Sequence, residues 1–398
     1  MLDLKVSIIG PYPFSRSVSF PTTAIFISVL AVVGAAFLFW VQKSTDIRFV
    51  FDPYDLNVYF ASSRWVTESG RLYYEVESEY PPLANLIFAA FRYLGAIINP
   101  SRETFKIVWM LSALFVYVVA VYRVAKGTTA LAVFAWLAPA ALYFALLRYD
   151  IFPAVATLGA MFAIRRCAYY TGAIWLGVAV ALKGYALFLL PAYCVFITHR
   201  RGLLASIKVG ALAVAPMLLC LLATFAFAGW EGLTFPFKFH AQRLLNGEST
   251  YDAINYLLGA EIPSMPEVRS IGQVLQIGCG LAAAAMRPRN FNELVNAFLF
   301  AILGFISFSV FHSPQYVLWI LPIACFSDSR ALLVLSIAFG WLTYFYFPIC
   351  FDLEDSYPRI FESSIIAITS LRFVMMFLAV RDNWSKRGRT ETYWMSPR

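Results

Sequence analysis

The chain has 398 residues, of which 61% are hydrophobic and only 14% charged, with a mean hydropathy of +0.70. A soluble domain is about a quarter charged, so this balance excludes a water-soluble enzyme and describes a polytopic membrane protein. The formal net charge of +8 then concerns which way the chain faces, and the sequence carries no nucleic-acid motif.

The first apolar run, 22–41, is about twenty residues, enough to cross a hydrocarbon core of roughly 30 Å. It has no small-residue cleavage site and reads as a retained anchor. A loop over 42–104 follows, carrying Asp52, Asp55 and Tyr59, then the rigid corner Tyr80-Pro-Pro-Leu83. The apolar stretch 83–98 contains Arg92 and reads either as a span or as a surface helix. Further runs lie near 106–122, 129–147, 151–164, 172–182, 184–197, 203–229, 273–286, 294–311, 315–326, 331–349 and 363–380. Helices are the expected form, because backbone groups in lipid must be satisfied within their own segment.

Basic clusters decide the count. Arg123/Lys126, Arg165/Arg166, Arg200/Arg201, Arg287/Arg289 and the tail Arg381, Lys386, Arg387, Arg389 belong in the cytoplasm by the positive-inside rule. All fall there only if 83–98 does not cross and 172–197 crosses twice, as a hairpin broken at Lys183-Gly184. The expected architecture is all-α: a single integral membrane domain over 1–380 with about twelve crossings, some short or re-entrant. Extracytoplasmic loops lie at 42–104, with surface helices, and at 230–272, both termini are cytoplasmic, and a basic tail occupies 381–398.

Six cysteines, without CxxC or Cys/His spacing, read as small core residues, and no Walker loop, GxGxxG or metal-ligand cluster is present. Under this topology the polar outliers gather on the outer side: Asp52, Asp55, Arg148-Tyr-Asp150, Lys183, His240, Gln242, Arg243, Glu248, His312 and Gln315. Blander readings stand beside each. Arg148 and Asp150 can pair at a helix end, Arg243 with Glu248 on a loop helix, Lys183 can snorkel to headgroups, His312 can be a satisfied helix-end histidine, and Asp52 and Asp55 can cap a loop. Convergence from separate loops favours a site.

The ordered pieces Asp55-Leu-Asn-Val-Tyr59, Gly70-Arg-Leu-Tyr73, Tyr80-Pro-Pro-Leu83, Arg148-Tyr-Asp150, Leu176-Gly…Leu182-Lys-Gly-Tyr185…Leu190-Pro191, Phe239-His…Gln242-Arg243…Glu248-Ser249 and Ser313-Pro-Gln-Tyr316 cover roughly 50–325. Together they resemble the polyprenyl-phosphate-sugar-dependent glycosyltransferases of the C-type membrane fold, most nearly glycosyltransferase family 87, the bacterial mannosyltransferase-like group. Two departures stand out: Gly184-Tyr185-Ala186 replaces the frequent Lys-x-x-Pro ending of the hairpin, and a second acid, Asp52, precedes Asp55.

The resemblance implies a hexosyltransferase of the bacterial plasma membrane with its active site outside. It would move a sugar, mannose by the nearest likeness, from a polyprenyl phosphate to a hydroxyl of a glycolipid or cell-envelope glycan, with inversion. A carboxylate base is required, Asp55 or alternatively Asp52. Lys183, Arg243, His312 and Arg148 are the candidate cations for the leaving phosphate, and Tyr59, Tyr80, Asp150, His240, Gln242, Glu248 and Gln315 the candidates for substrate contacts. No cofactor or metal is expected. The competing class is a transporter or flippase of a lipid-linked sugar or small anion, in which broken hairpins also occur, often in pairs near the midplane.

Overall fold

A computed structural model describes residues 52–394 apart from 69, 244, 246–247, 260–261 and 263–265. The first apolar run and the last four residues therefore lie outside the described part. Fifteen α-helices make up the described chain. They are α1 Tyr54–Ser62, α2 Pro82–Ile98, α3 Arg102–Gly127, α4 Ala130–Trp136, α5 Pro139–Leu147, α6 Ile151–Arg165, α7 Tyr169–Leu182, α8 Leu190–Arg201, α9 Leu203–Ala241, α10 Thr250–Leu258, α11 Pro266–Ala285, α12 Phe291–Ser307, α13 Val317–Ala324, α14 Arg330–Tyr344 and α15 Pro358–Trp394. By length and composition four helical segments can cross a membrane: α3, α9, Arg330–Cys350 and Pro358–Ser385. The pair α4/α5, bent by 49°, makes a fifth. The expected twelve also counts shorter apolar helices, among them α6, α7 and α12, together with the first run, and leaves α2 uncrossed.

Local chemistry places the breaks. Pro139 opens α5 where its missing N–H costs nothing, so the run 129–147 bends instead of continuing. Gly229 interrupts α9 with φ +64°, a left-handed conformation open to glycine. It falls where the apolar run 203–229 ends, and the helix then resumes to carry Phe239 and His240 inward. At the centre of 172–197, α7 stops at Leu182, Lys183 is extended (φ −158°, ψ 125°), and a 3₁₀ turn over Gly184–Leu189 leads into α8. The chain doubles back there. The Tyr193 hydroxyl donates to the Tyr169 carbonyl at 2.7 Å, and the Arg201 guanidinium lies 5.8 Å from the Tyr169 ring.

The stretch 83–98 forms α2, with Ala84, Asn85, Phe88 and Ala89 buried and Leu86, Tyr93, Leu94, Ile97 and Ile98 exposed. Arg92 donates to the Phe60 carbonyl at 2.8 Å and pairs with Glu68 at 3.0 Å, so its charge is held beside α1. Small residues let helices approach closely. A Cβ on Gly177 would stand 2.7 Å from the Ala213 carbonyl oxygen, which fixes α7 against α9.

Helices α6 and α7 orient the bundle. The first starts at the Arg148-Tyr-Asp150 turn and ends at Arg165, which donates to the Gly127 carbonyl at 2.5 Å. The second starts at Tyr169 and ends beside Lys183. The Asp150 and Lys183 ends meet; Arg165 lies at the other end of α6, about 20 Å away at 1.5 Å per residue, and Arg201, the last residue of α8, lies beside Tyr169 at the other end of α7.

Candidate active site

Three cation–carboxylate pairs build one end of the bundle. The first is a triad. Asp55 lies in the first turn of α1, just after Pro53. Its Oδ2 is 2.9 Å from Arg148 Nη1, and Arg148 Nη2 donates to Asp52 Oδ2 at 3.5 Å. Tyr59, one turn on, donates its hydroxyl to Asp55 at 3.3 Å and accepts the Tyr149 N–H at 3.2 Å. The Tyr59 ring is fully buried and stacks on Phe88 with centroids 4.4 Å apart, so aromatic packing fixes the carboxylate's orientation. Burial pushes the Asp55 carboxyl above its ordinary pKa, with the Arg148 guanidinium pulling the other way.

The second pair centres on Asp150, fully buried at the head of α6. Its Oδ1 accepts from Lys183 Nζ at 2.6 Å and from Trp319 Nε1 at 2.7 Å. The Lys183 ammonium sits 4.6 Å from the Tyr149 ring centroid and 5.0 Å from that of Trp319. Trp319 is itself stacked between Tyr185 at 4.5 Å and Tyr316 at 3.8 Å. Cation–π attraction and one carboxylate together compensate a poorly solvated ammonium. Lys183 therefore does not snorkel. Arg148 and Asp150, two residues apart, do not pair with each other; their side chains serve different partners.

The third pair joins distant loops. Arg243 forms an ion pair with Glu79 and lies 4.2 Å from the Phe311 ring, while His240 Nε2 lies 3.0 Å from the Glu79 carbonyl oxygen. Glu79, beside Tyr80, takes the place that Glu248 had in the sequence reading. Glu248 is buried elsewhere, and burial pushes its carboxyl up to about 8. His312 Nδ1 lies 2.9 Å from Arg372 Nη1.

Two cavities open among these groups. One, about 660 Å³, is lined by Lys183, Arg243, His240, Arg269 and Glu79, and by apolar side chains such as Phe188, Met217, Leu221 and Phe305. The other, about 720 Å³, is lined by Asp52, Arg148, Glu248, His312 and Asp352. Asp55 and Gln315 line both. Of the residues singled out in the sequence, Tyr59, Tyr80, Lys183, His240 and Arg243 face the first cavity, and Asp52, Arg148, Glu248 and His312 the second. Arg148 and His312, grouped with Lys183 and Arg243 as phosphate ligands, are thus separated from them. Asp150 lines neither but holds Lys183, and Gln242 is exposed at the end of α9. Among the described residues no three His, Cys, Asp or Glu side chains converge as metal ligands.

A family model, glycosyltransferase family 87, matches residues 79–314, more than half of the chain. The chain belongs to glycosyltransferase family 87. No curated protein matches it. A family 87 protein is a transferase of sugars, so the two cavities and their charges have a donor and an acceptor to serve. The matched stretch holds Glu79, Arg148, Lys183, Arg243, Glu248 and His312, whereas Asp52 and Asp55 precede it. The two carboxylates are tied to the family 87 region by geometry, through Arg148. Sequence reasoning passed over Glu79, Trp319, Arg269 and Arg372. Of these Arg372 carried a signal, as a charge within the apolar run 363–380, where ionisable residues are costly and usually functional.

Proposed function

We propose that this family 87 protein transfers mannose from a polyprenyl-phosphate donor to a hydroxyl of a glycolipid or cell-envelope glycan, on the outer face of a bacterial plasma membrane. The carrying observation is that Asp55 lines both cavities at once. A base for this reaction must touch the acceptor hydroxyl while the donor's anomeric carbon stands beside it, and a carboxylate on the shared wall meets that requirement.

The first cavity suits the donor. Lys183, Arg243 and Arg269 supply positive charge and the aromatic and aliphatic lining accommodates a prenyl chain. The second suits a neutral, hydroxyl-rich acceptor, because acidic side chains outnumber basic ones in its lining. The acceptor oxygen attacks the anomeric carbon and forms the new C–O bond. The bond to the phosphate oxygen breaks, its electron pair leaves with polyprenyl phosphate, and the acceptor proton passes to Asp55. One displacement inverts the anomeric centre. Lys183 and Arg243 stabilise the leaving phosphate, and no metal takes part. Tyr59 orients Asp55, with Asp52 as the alternative base on the same guanidinium. An outward site agrees with twelve crossings and cytoplasmic termini, since the basic turns at Arg165 and Arg201 lie at the opposite helix ends.

The test is transfer in proteoliposomes supplied with polyprenyl-phosphate mannose and a glycolipid acceptor, the product read by mass spectrometry. The parent should form a mannosylated lipid without any gradient, and Asp55→Asn should lose roughly 10³-fold in kcat. Retained transfer in Asp55→Asn with loss in Asp52→Asn moves the base to Asp52. Sugar translocation without a new glycosidic bond discards the enzyme reading.

A further inference from the structure

Arg372 is fully buried in α15 and makes no ion pair among the described residues. A guanidinium in that position is expensive unless its donors are satisfied, and its partners here are few. Nη2 donates to Thr369 Oγ1 at 2.6 Å and to Thr250 Oγ1 at 3.4 Å, and Nη1 lies 2.9 Å from His312 Nδ1. Thr250 is the first residue of α10, directly after its N-cap Ser249 and two residues after Glu248. One side chain therefore ties α15, the start of α10 and the His312 turn together behind the second cavity, which His312 and Glu248 line.

The chemistry of the contact is one-sided. A guanidinium has donors and no acceptor. At 2.9 Å the imidazole nitrogen must accept, so Nδ1 carries no proton. A doubly protonated ring would set N–H against N–H and two cations in contact inside a buried site. Burial and the Arg372 charge both hold the His312 pKa well below its ordinary value, in agreement with the geometry. The hydroxyl-bearing Tyr316 and Tyr346 also stand against the ring, with centroids at 5.5 and 6.4 Å.

We infer that Arg372 is a positioning residue that locks His312 as the neutral imidazole bearing its proton on Nε2. The second cavity then draws its positive charge from Arg148 alone among its lining residues, against Asp52, Asp55 and Asp352. A neutral imidazole there favours an uncharged, hydroxyl-bearing ligand and disfavours a phosphate. This consequence rests on the acceptor reading of the cavity; the tautomer itself does not.

The chain has three histidines, so ¹⁵N-histidine labelling of the full protein in nanodiscs at neutral pH gives a readable spectrum. Loss of signals in His312→Gln assigns the ring. The expected wild-type spectrum shows His312 Nδ1 unprotonated and Nε2 protonated. In Arg372→Met the ring should shift to mixed tautomers. Transfer should fall about tenfold in kcat, with the donor KM unchanged because the first cavity is untouched. Arg372→Lys, which keeps a donor, should recover the tautomer. A wild-type His312 protonated on Nδ1, or an unchanged ring in Arg372→Met, overturns the assignment, and the wild-type spectrum decides even if Arg372→Met does not fold. Failure of the transfer assay with the expected spectrum would leave the lock intact and remove only the acceptor reading.

Discussion

The two cavities share Asp55 yet differ in how their charges are balanced. In the first, Lys183 is offset by one carboxylate, Asp150, and Arg243 by one, Glu79, with Arg269 adding a further cation. In the second, one guanidinium, Arg148, serves two carboxylates. A carboxylate on the common wall thus faces surplus positive charge on one side and surplus negative charge on the other. That asymmetry, more than any single residue, separates a phosphate-bearing ligand from a hydroxyl-bearing one without two different folds.

The comparison can be broken most sharply at its basic side. Lys183→Met should cut kcat by about 10² to 10³, the usual cost of deleting one preorganised charge at a leaving group, with Asp150 left buried and unpaired. An unchanged kcat would show that the first cavity does not hold the phosphate. A smaller and pH-dependent effect is expected across the wall. The Glu248 carboxyl, held up at about 8, is protonated at neutral pH, so Glu248→Gln should keep transfer at pH 7 within about threefold of the parent. Its folded pKa exceeds the unfolded value. The stability it contributes is therefore complete below the ordinary glutamate range and is lost as pH rises through about 8. Thermal unfolding of the parent should show that decline between pH 5 and pH 9, and Glu248→Gln should flatten it. The smallest change is expected at Gln242, exposed and outside both cavities. Gln242→Ala should alter stability by no more than about 0.5 kcal/mol and leave transfer as it was, and a large loss would extend the site beyond the cavities.

Much of this was legible before any coordinates. Lys183 interrupting an apolar run announced a buried cation and a chain reversal, because lipid tolerates neither a bare charge nor unsatisfied backbone. Asp55 stood out as a carboxylate beside the first apolar run, but its orientation by Tyr59, one helical turn on, emerged only in the structure. Pairings were another matter. Arg148 and Asp150, two positions apart, serve different partners, and Arg243 found Glu79 across 164 positions of sequence. Trp319 looked like one more apolar residue until its indole N–H was placed on Asp150.

By itself the sequence determined the solvent, the helical form, the break at Lys183, and which residue types the chemistry could draw on. These follow from hydropathy and backbone constraints that act within a few residues. Only the tertiary structure decided which carboxylate neutralises which cation and which cavity each faces. The interaction of two charges depends on their separation and on the water excluded between them, and packing of distant helices sets both.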